Sequence, residues 1–241
     1  MIAATRSVRA CAIALGLIGM GWGISDLSNL RREAISSNIA TRILAGDPFK
    51  SKILLNQASL VEQDQQAGDC RPLEVRSAAI IRLRMAELSN DPGLAAGPVR
   101  TKVAVEAIRH SLACSPADPF LWLVLYALEP SAQLAYLSAS YRLGPNEGWI
   151  AVMRNPVAFD AFDELPENLR GRVVQEFVRL LEIELYEAAV KIFVGAAWDK
   201  RELILSKLDR LPLQTRQMFA EALAAADYDV TVPGTTLKPN Q

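Results

Sequence analysis

"SLACSPADPFLWLVLYAL" (residues 111–128) and "SYRLGPNEGWIAVMRN" (residues 140–155) share one syntax. Each reads as the end of a helix, a turn of small residues around a proline, and a new helix with an early tryptophan. Pro116 and Pro145 cannot continue the helix before them, because proline lacks the backbone donor that the next turn needs. In the first copy Asp118 stands where a side-chain oxygen caps orphan N–H groups, and Pro119 takes the favoured first turn. In the second, Asn146 is the expected cap and Glu147 suits the positive end of the helix dipole. The crowded "GPNEGW" is then a joint between helices, and its chemistry is capping.

Helical signals continue outward in both directions. Residues 26–44 extend an N-terminal apolar helix that stops at Ala45-Gly46-Asp47-Pro48, where Gly supports a C-cap and Pro ends the helix. A helix is predicted from Pro48 to about Gln65. Another runs from Pro72 to Leu88, where Leu73, Val75, Ala79, Ile80, Leu83 and Leu88 recur at helical spacing. Arg76, Arg82 and Arg84, with Arg71, read as its solvated stripe. Further helices are expected over 99–114, from a Ser131 cap to the "LGPN" turn, and over the short span Trp149–Arg154. "NPVAFDAFDELP" follows as an irregular stretch. Helices resume over 167–185, over 186–208 with a break near Gly195, and over 212–226. No strand alternation is found, so the predicted class is all-α, with a body over 28–228. Residues 229–241 lack an apolar period and are expected to form a mobile tail.

Helix, proline turn, and helix with early Trp resembles the helical hairpins of the tetratricopeptide repeat class over residues 103–150. Ala104, Ala107 and Leu112 take the close-packing places and Pro116 the turn. Three departures stand out. The prolines at 116 and 145 are 29 apart instead of the class's period of about 34, the Gly-x-x-Tyr element is missing from the first helix, and no third clean copy is visible. The resemblance implies a right-handed α-solenoid that presents a binding surface and carries no catalytic residues. The aromatics near the turns, Trp122, Tyr126, Tyr141 and Trp149, are its candidate partner contacts, though core packing competes for each.

The remaining signal lies at the N-terminus. "ACAIALGLIGMGWGI" (10–24) is uncharged and apolar, and Arg6, Arg9 and Asp26 are the nearest charges. The uncharged interval Ala10–Ser25 falls just short of the usual ~17–25 residues of a spanning helix. Arg9 can snorkel outward, so residues 1–27 are expected to form a tail and an uncleaved membrane anchor. A cleaved signal peptide is the main rival, with only a loose small-x-small site at Gly21-Trp22-Gly23; a buried core helix is the third reading. Arg6 and Arg9 favour a cytoplasmic N-terminus, which sends the body into the periplasm, while Arg31 and Arg32 oppose that orientation. Gly19 and Gly23 have the four-residue spacing of helix packing in lipid, which makes a homodimer seam an expectation to test. Cys11 lies in the apolar segment, leaving Cys70 and Cys114 as a pair. An oxidising compartment would let them form a disulfide; two separate buried thiols is the plainer reading.

Composition excludes more than it assigns. With 26 basic and 27 acidic residues the formal net charge is −1, so there is no global basic field for nucleic acid. His110 is the only histidine. A zinc site would therefore need Cys70, Cys114 and carboxylates at spacings that no known metal pattern matches, and no metal or cofactor is expected. No phosphate loop, dinucleotide fingerprint or nucleophile elbow is present. "FDAFDE" (159–164) supplies the one acidic-aromatic cluster. Asp160 and Asp163 are there, Glu164 is beside them, and Glu182 and Glu184 lie further on. Two converging carboxylates would suffice for glycoside hydrolysis, and the phenylalanines could make a sugar platform. The leading expectation remains a non-enzymatic, membrane-anchored scaffold that binds another envelope protein. Its format resembles accessory proteins of bacterial polysaccharide systems. A carbohydrate-binding or carbohydrate-acting protein is the alternative.

Overall fold

The computed structural model describes residues 2–49, 53–55, 70–88, 97–129 and 134–235. Their regular elements are all helices, with no strand among them. The chain divides into two compact units, Met1–Pro116 and Ala117–Gln241. The division falls at the first proline turn.

Among the described residues the first unit holds three long helices: α1 (Ile2–Leu44), α2 (Pro72–Glu87) and α3 (Gly97–Cys114). The expected stop of α1 is realised in detail. Gly46 adopts φ +84°, the left-handed conformation glycine reaches without a Cβ penalty. The Gly46 N–H then donates to Ile43 O and the Asp47 N–H to Arg42 O, each at 3.0 Å. This pair of bonds satisfies the last carbonyls of the helix. Arg42 Nε donates to Asp47 Oδ2 at 2.7 Å across the same turn. The C-terminal part of α1 packs on α2, and α2 packs on α3. Ile39, Leu54 and Ile81 form the local core, flanked by Ile43, Phe49, Met85 and Leu88. Ala78 and Ala79 of α2, with Ala104 and Ala107 of α3, are fully buried. Small side chains at these positions let the helix backbones come close. Arg82, expected on a solvated stripe, is buried within α2 instead. Its place follows from α2 being covered by both α1 and α3, which leaves little of its circumference for water. The Pro48–Gln65 helix lies mostly outside the described residues, which show only a helical 53–55 with Leu54 buried. The Ser131 cap also lies outside them.

The second unit contains α4 (Pro119–Leu128), α5 (Leu134–Leu143), α6 (Gly148–Asp160), α7 (Glu167–Glu182), α8 (Tyr186–Val194), α9 (Arg201–Leu208) and α10 (Leu213–Ala225). Single 3-10 turns at Phe162–Glu164 and Trp198–Lys200 link them. Asp118 caps α4 as its sequence predicts, its Oδ1 accepting from the N–H groups of Phe120 at 3.0 Å and Leu121 at 3.1 Å. The break near Gly195 separates α8 from α9. A Cβ at Gly195 would sit 2.9 Å from Lys191 O, so glycine is needed to end α8 there.

Phe159, Phe177, Phe193 and Phe219 come from α6, α7, α8 and α10 and meet in one aromatic core. Phe177 lies 6.4, 6.1 and 6.0 Å from Phe159, Phe193 and Phe219. Phe193 meets Phe219 at 5.5 Å, edge to face. Such pairs contribute about 0.5–1.5 kcal/mol each beyond area burial.

Two sequence expectations are corrected here. The helix expected to stop at Arg154 continues through Pro156 to Asp160. Local sterics before proline disfavour helix, but Arg154 and Asn155 are wholly buried and hydrogen-bonded to neighbouring helices. Those contacts hold the turn in place. The tail also begins later than expected, because Val232 is buried and Arg216 Nη1 donates to Pro233 O at 2.7 Å.

Candidate functional site

Three places have the exposure or the chemistry for function: the α1 collar, the α5–α6 joint, and the grooves beside α6 and α7. On α1, Ile13, Leu15, Leu17, Ile18, Met20 and Trp22 are 61–80% exposed. Gly19 and Gly23 have open space where a Cβ would stand. The apolar stretch is therefore exposed over residues 12–23. No helix among the described residues is long and apolar enough to cross a membrane.

The joint is built around a buried cation. Arg154, with no solvent exposure, uses all five guanidinium donors. Its Nε donates to Glu176 Oε1 at 3.1 Å, and Nη2 donates to the same carboxylate in a very short contact. Nη1 reaches Ser140 O at 2.6 Å and Ser140 Oγ at 3.1 Å, and Nη2 reaches Gly144 O at 3.0 Å. The two carbonyls belong to the C-terminal turn of α5, so the arginine finishes that helix from outside it. Asn155 Nδ2 donates to Val173 O at 2.9 Å and Glu176 Oε2 at 3.3 Å, tying the carboxylate down further. The Tyr141 ring lies 4.1 Å from the guanidinium carbon. Gly144 is required for a steric reason: a Cβ there would meet the Pro119 ring at 2.6 Å. Asn146, expected to cap α6, does not. The cap position is Glu147, without a side-chain bond, and Asn146 Oδ1 accepts from Arg179 of α7 instead.

The four candidate aromatics separate by burial. Tyr141 is only 3% exposed and sits inside the arginine network, so it is corrected from partner contact to core. Trp122 is half-buried against Tyr136, with ring centroids 5.5 Å apart. Tyr126 is half-buried, and burial first, then the Glu164 and Asp160 charges, raise its hydroxyl pKa. Trp149 alone is open, 42% exposed, with its ring tilted against Phe120 at 5.3 Å.

Burial first, then the Glu176 carboxylate, push the Tyr141 hydroxyl well above its ordinary value of 10.0. The unfolded chain loses this proton first as pH rises, so stability should be intact below pH 10 and fall above it. One proton corresponds to a slope of about 1.4 kcal/mol per pH unit. Urea denaturation across the alkaline range should show that slope reduced by one proton in Tyr141→Phe. An unchanged slope would mean the phenol ionises freely in the fold.

The phenylalanines of the acidic-aromatic stretch do not present an exposed platform. Phe159 and Phe162 are buried and stacked on each other at 5.5 Å. Asp163 is exposed and ion-paired with Lys200 Nζ at 2.6 Å, and Asp160 is exposed beside it. No group of three or more metal-ligating side chains is arranged to hold a metal among the described residues.

Cys70 and Cys114 are joined in a disulfide with Cα atoms 5.6 Å apart. This replaces the plainer reading of two buried thiols. The bond fastens the C-terminus of α3 to the residues just ahead of α2, and the packing of those two helices brings the cysteines together.

Two grooves open on the second unit. One, of about 650 Å³, lies between Val152 and Pro156 of α6 and Leu185, Tyr186 and Ile192 around α8. The other, of about 820 Å³, lies between α7 and α9. Comparison with protein-family models, characterised proteins and solved structures finds no match for this chain.

Proposed function

We propose that the chain is a membrane-tethered, divergent tetratricopeptide-like docking protein of the bacterial cell envelope. In this reading its helical body lies in the periplasm and serves as an accessory to polysaccharide synthesis or export. The exposed collar of α1 carries the proposal. Burying an Ile, Leu or Met side chain is worth about 1.5–3 kcal/mol, so the collar's partition into lipid is favoured by on the order of 10 kcal/mol. The uncharged run is short for a bilayer core of ~30 Å, and snorkelling of Arg6 and Arg9 with local thinning makes up the difference. The Cys70–Cys114 bond supports an oxidising compartment. The grooves of the second unit supply docking surfaces, and a tether that confines them to two dimensions raises their effective concentration near a membrane partner.

Fractionation of cells expressing the full chain tests this. The chain is expected in the membrane pellet after alkaline carbonate washing. Leu17→Arg/Ile18→Arg is expected to move it to the soluble fraction, since a central arginine costs about 2.5–3.5 kcal/mol on insertion scales. Release of the unaltered chain by carbonate, or a mature N-terminus after Gly23, would overturn the tether.

A further inference from the structure

The groove between α7 and α9 contains a glycine that the fold itself does not need. Gly171 sits in the interior of α7, where glycine is less stable than alanine by roughly 0.5–1 kcal/mol. Its backbone is helical, and a Cβ added there would meet nothing within 4 Å. Neither conformation nor packing requires glycine at this position. What its small size does provide is a low point in the groove wall, between Val174 and Val178 on one side and Leu203 opposite. A second backbone could approach α7 closely there.

The groove is also charged in one sense. Arg170, Arg179, Lys207 and Arg210 line it against only Glu167 and Glu182. Arg170 is held by neutral carbonyls, Leu165 O at 2.7 Å and Asp163 O at 3.0 Å. Arg179 is held by Pro145 O at 3.1 Å and by Asn146 Oδ1. These partners orient the guanidinium groups without cancelling their charge. Among the described residues none of these four groove cations forms an ion pair, whereas Arg154–Glu176, Lys200–Asp163 and Arg216–Asp209 do.

We propose that this groove docks an amphipathic helical segment of a partner protein. Its apolar stripe would lie over Gly171, Val178 and Leu203, and its acidic flank would meet Lys207 and Arg210. The wall formed by α7 is 16 residues long, about 24 Å at the helical rise of about 1.5 Å per residue, so the occupant is a helix of about four turns. The proposal rests on the docking role above and specifies the chemistry of the docked partner.

The test uses the full chain in neutral detergent micelles and two labelled synthetic peptides, read by fluorescence anisotropy. Both peptides are 16-residue helices with leucines at i, i+3, i+4 and i+7, one flanked by glutamates and the other by lysines. The glutamate peptide is expected to bind at least about tenfold more tightly, and Lys207→Glu/Arg210→Glu to invert the preference. Gly171→Leu is expected to keep or raise the melting temperature while weakening the glutamate peptide by about tenfold or more. That combination separates a blocked groove from a damaged fold. Equal binding of the two peptides, or undiminished binding by Gly171→Leu, would overturn the proposal. So would displacement of the peptide by phosphatidylglycerol vesicles, which would assign the cations to lipid. Failure here leaves the carbonate-resistant membrane association untouched, and loss of that association leaves peptide binding untouched, so the two readings fail separately.

Discussion

Replacing Arg154 with alanine is expected to destabilise the second unit by about 3–5 kcal/mol, measured by urea denaturation followed by helical circular dichroism. The effect is large because the side chain is wholly buried and its loss strands several groups at once. Glu176 would remain a buried carboxylate with its cation gone and only the neutral Asn155 amide and Tyr141 hydroxyl beside it, and the Gly144 carbonyl would lose its donor. Arg154→Met/Glu176→Leu removes both charges and should recover a large part of the loss. An interaction energy of about 2–3 kcal/mol between the two sites is expected from the double-mutant cycle. The double variant should not reach the parent, since the Gly144 carbonyl stays without its donor while Ser140 O keeps only the Gly144 N–H at 3.1 Å. A cost for Arg154→Ala under about 1 kcal/mol is the range of solvated surface pairs and would contradict the buried network.

Removal of the Cys70–Cys114 bond is expected to cost the first unit about 2–4 kcal/mol. The bond spans a sequence separation of 44, and chain-entropy reasoning assigns about 4 kcal/mol to a loop of that size before any native strain is subtracted. Cys70→Ser/Cys114→Ser and the dithiothreitol-treated parent should both lose helix at lower urea than the oxidised parent. Alkylation of the unfolded, unreduced chain should modify Cys11 alone. Three alkylated thiols in protein prepared from the envelope, or a reduced protein that unfolds like the oxidised one, would count against the bond.

Much of the helical framework was readable from spacing. The apolar period marked α2, α3, α7 and α10, and Asp118-Pro119 and Gly46-Asp47-Pro48 marked a start and a stop. Each of those signals depends on residues within a turn or two. The end of α6 is not legible locally because Pro156 carries a real penalty, and the contacts that oppose it tie Arg154 and Asn155 to partners on α5 and α7. Asn146 was misassigned for a related reason: its oxygen is claimed by Arg179, 33 positions away in the chain. Arg154 carries no site signal in the sequence, since a lone arginine in a short amphipathic helix looks like any surface residue. One hint was available in the apolar company it keeps in "WIAVMRNPVAF".

The chain's local chemistry was enough to specify helices, their punctuation, the apolar segment on α1, and the absence of a global field for nucleic acid. Periodicity and capping act between near neighbours, and composition acts everywhere at once. Only the packed helices decided which polar groups are core. Arg154 and Glu176 meet 22 positions apart, Tyr141 turns inward while Trp149 stays open, and Cys70 reaches Cys114. The same packing gathers one phenylalanine from each of four helices and leaves four cations along a groove beside an unneeded glycine. Burial is a property of which helix faces meet, and that choice is made between segments far apart in the chain.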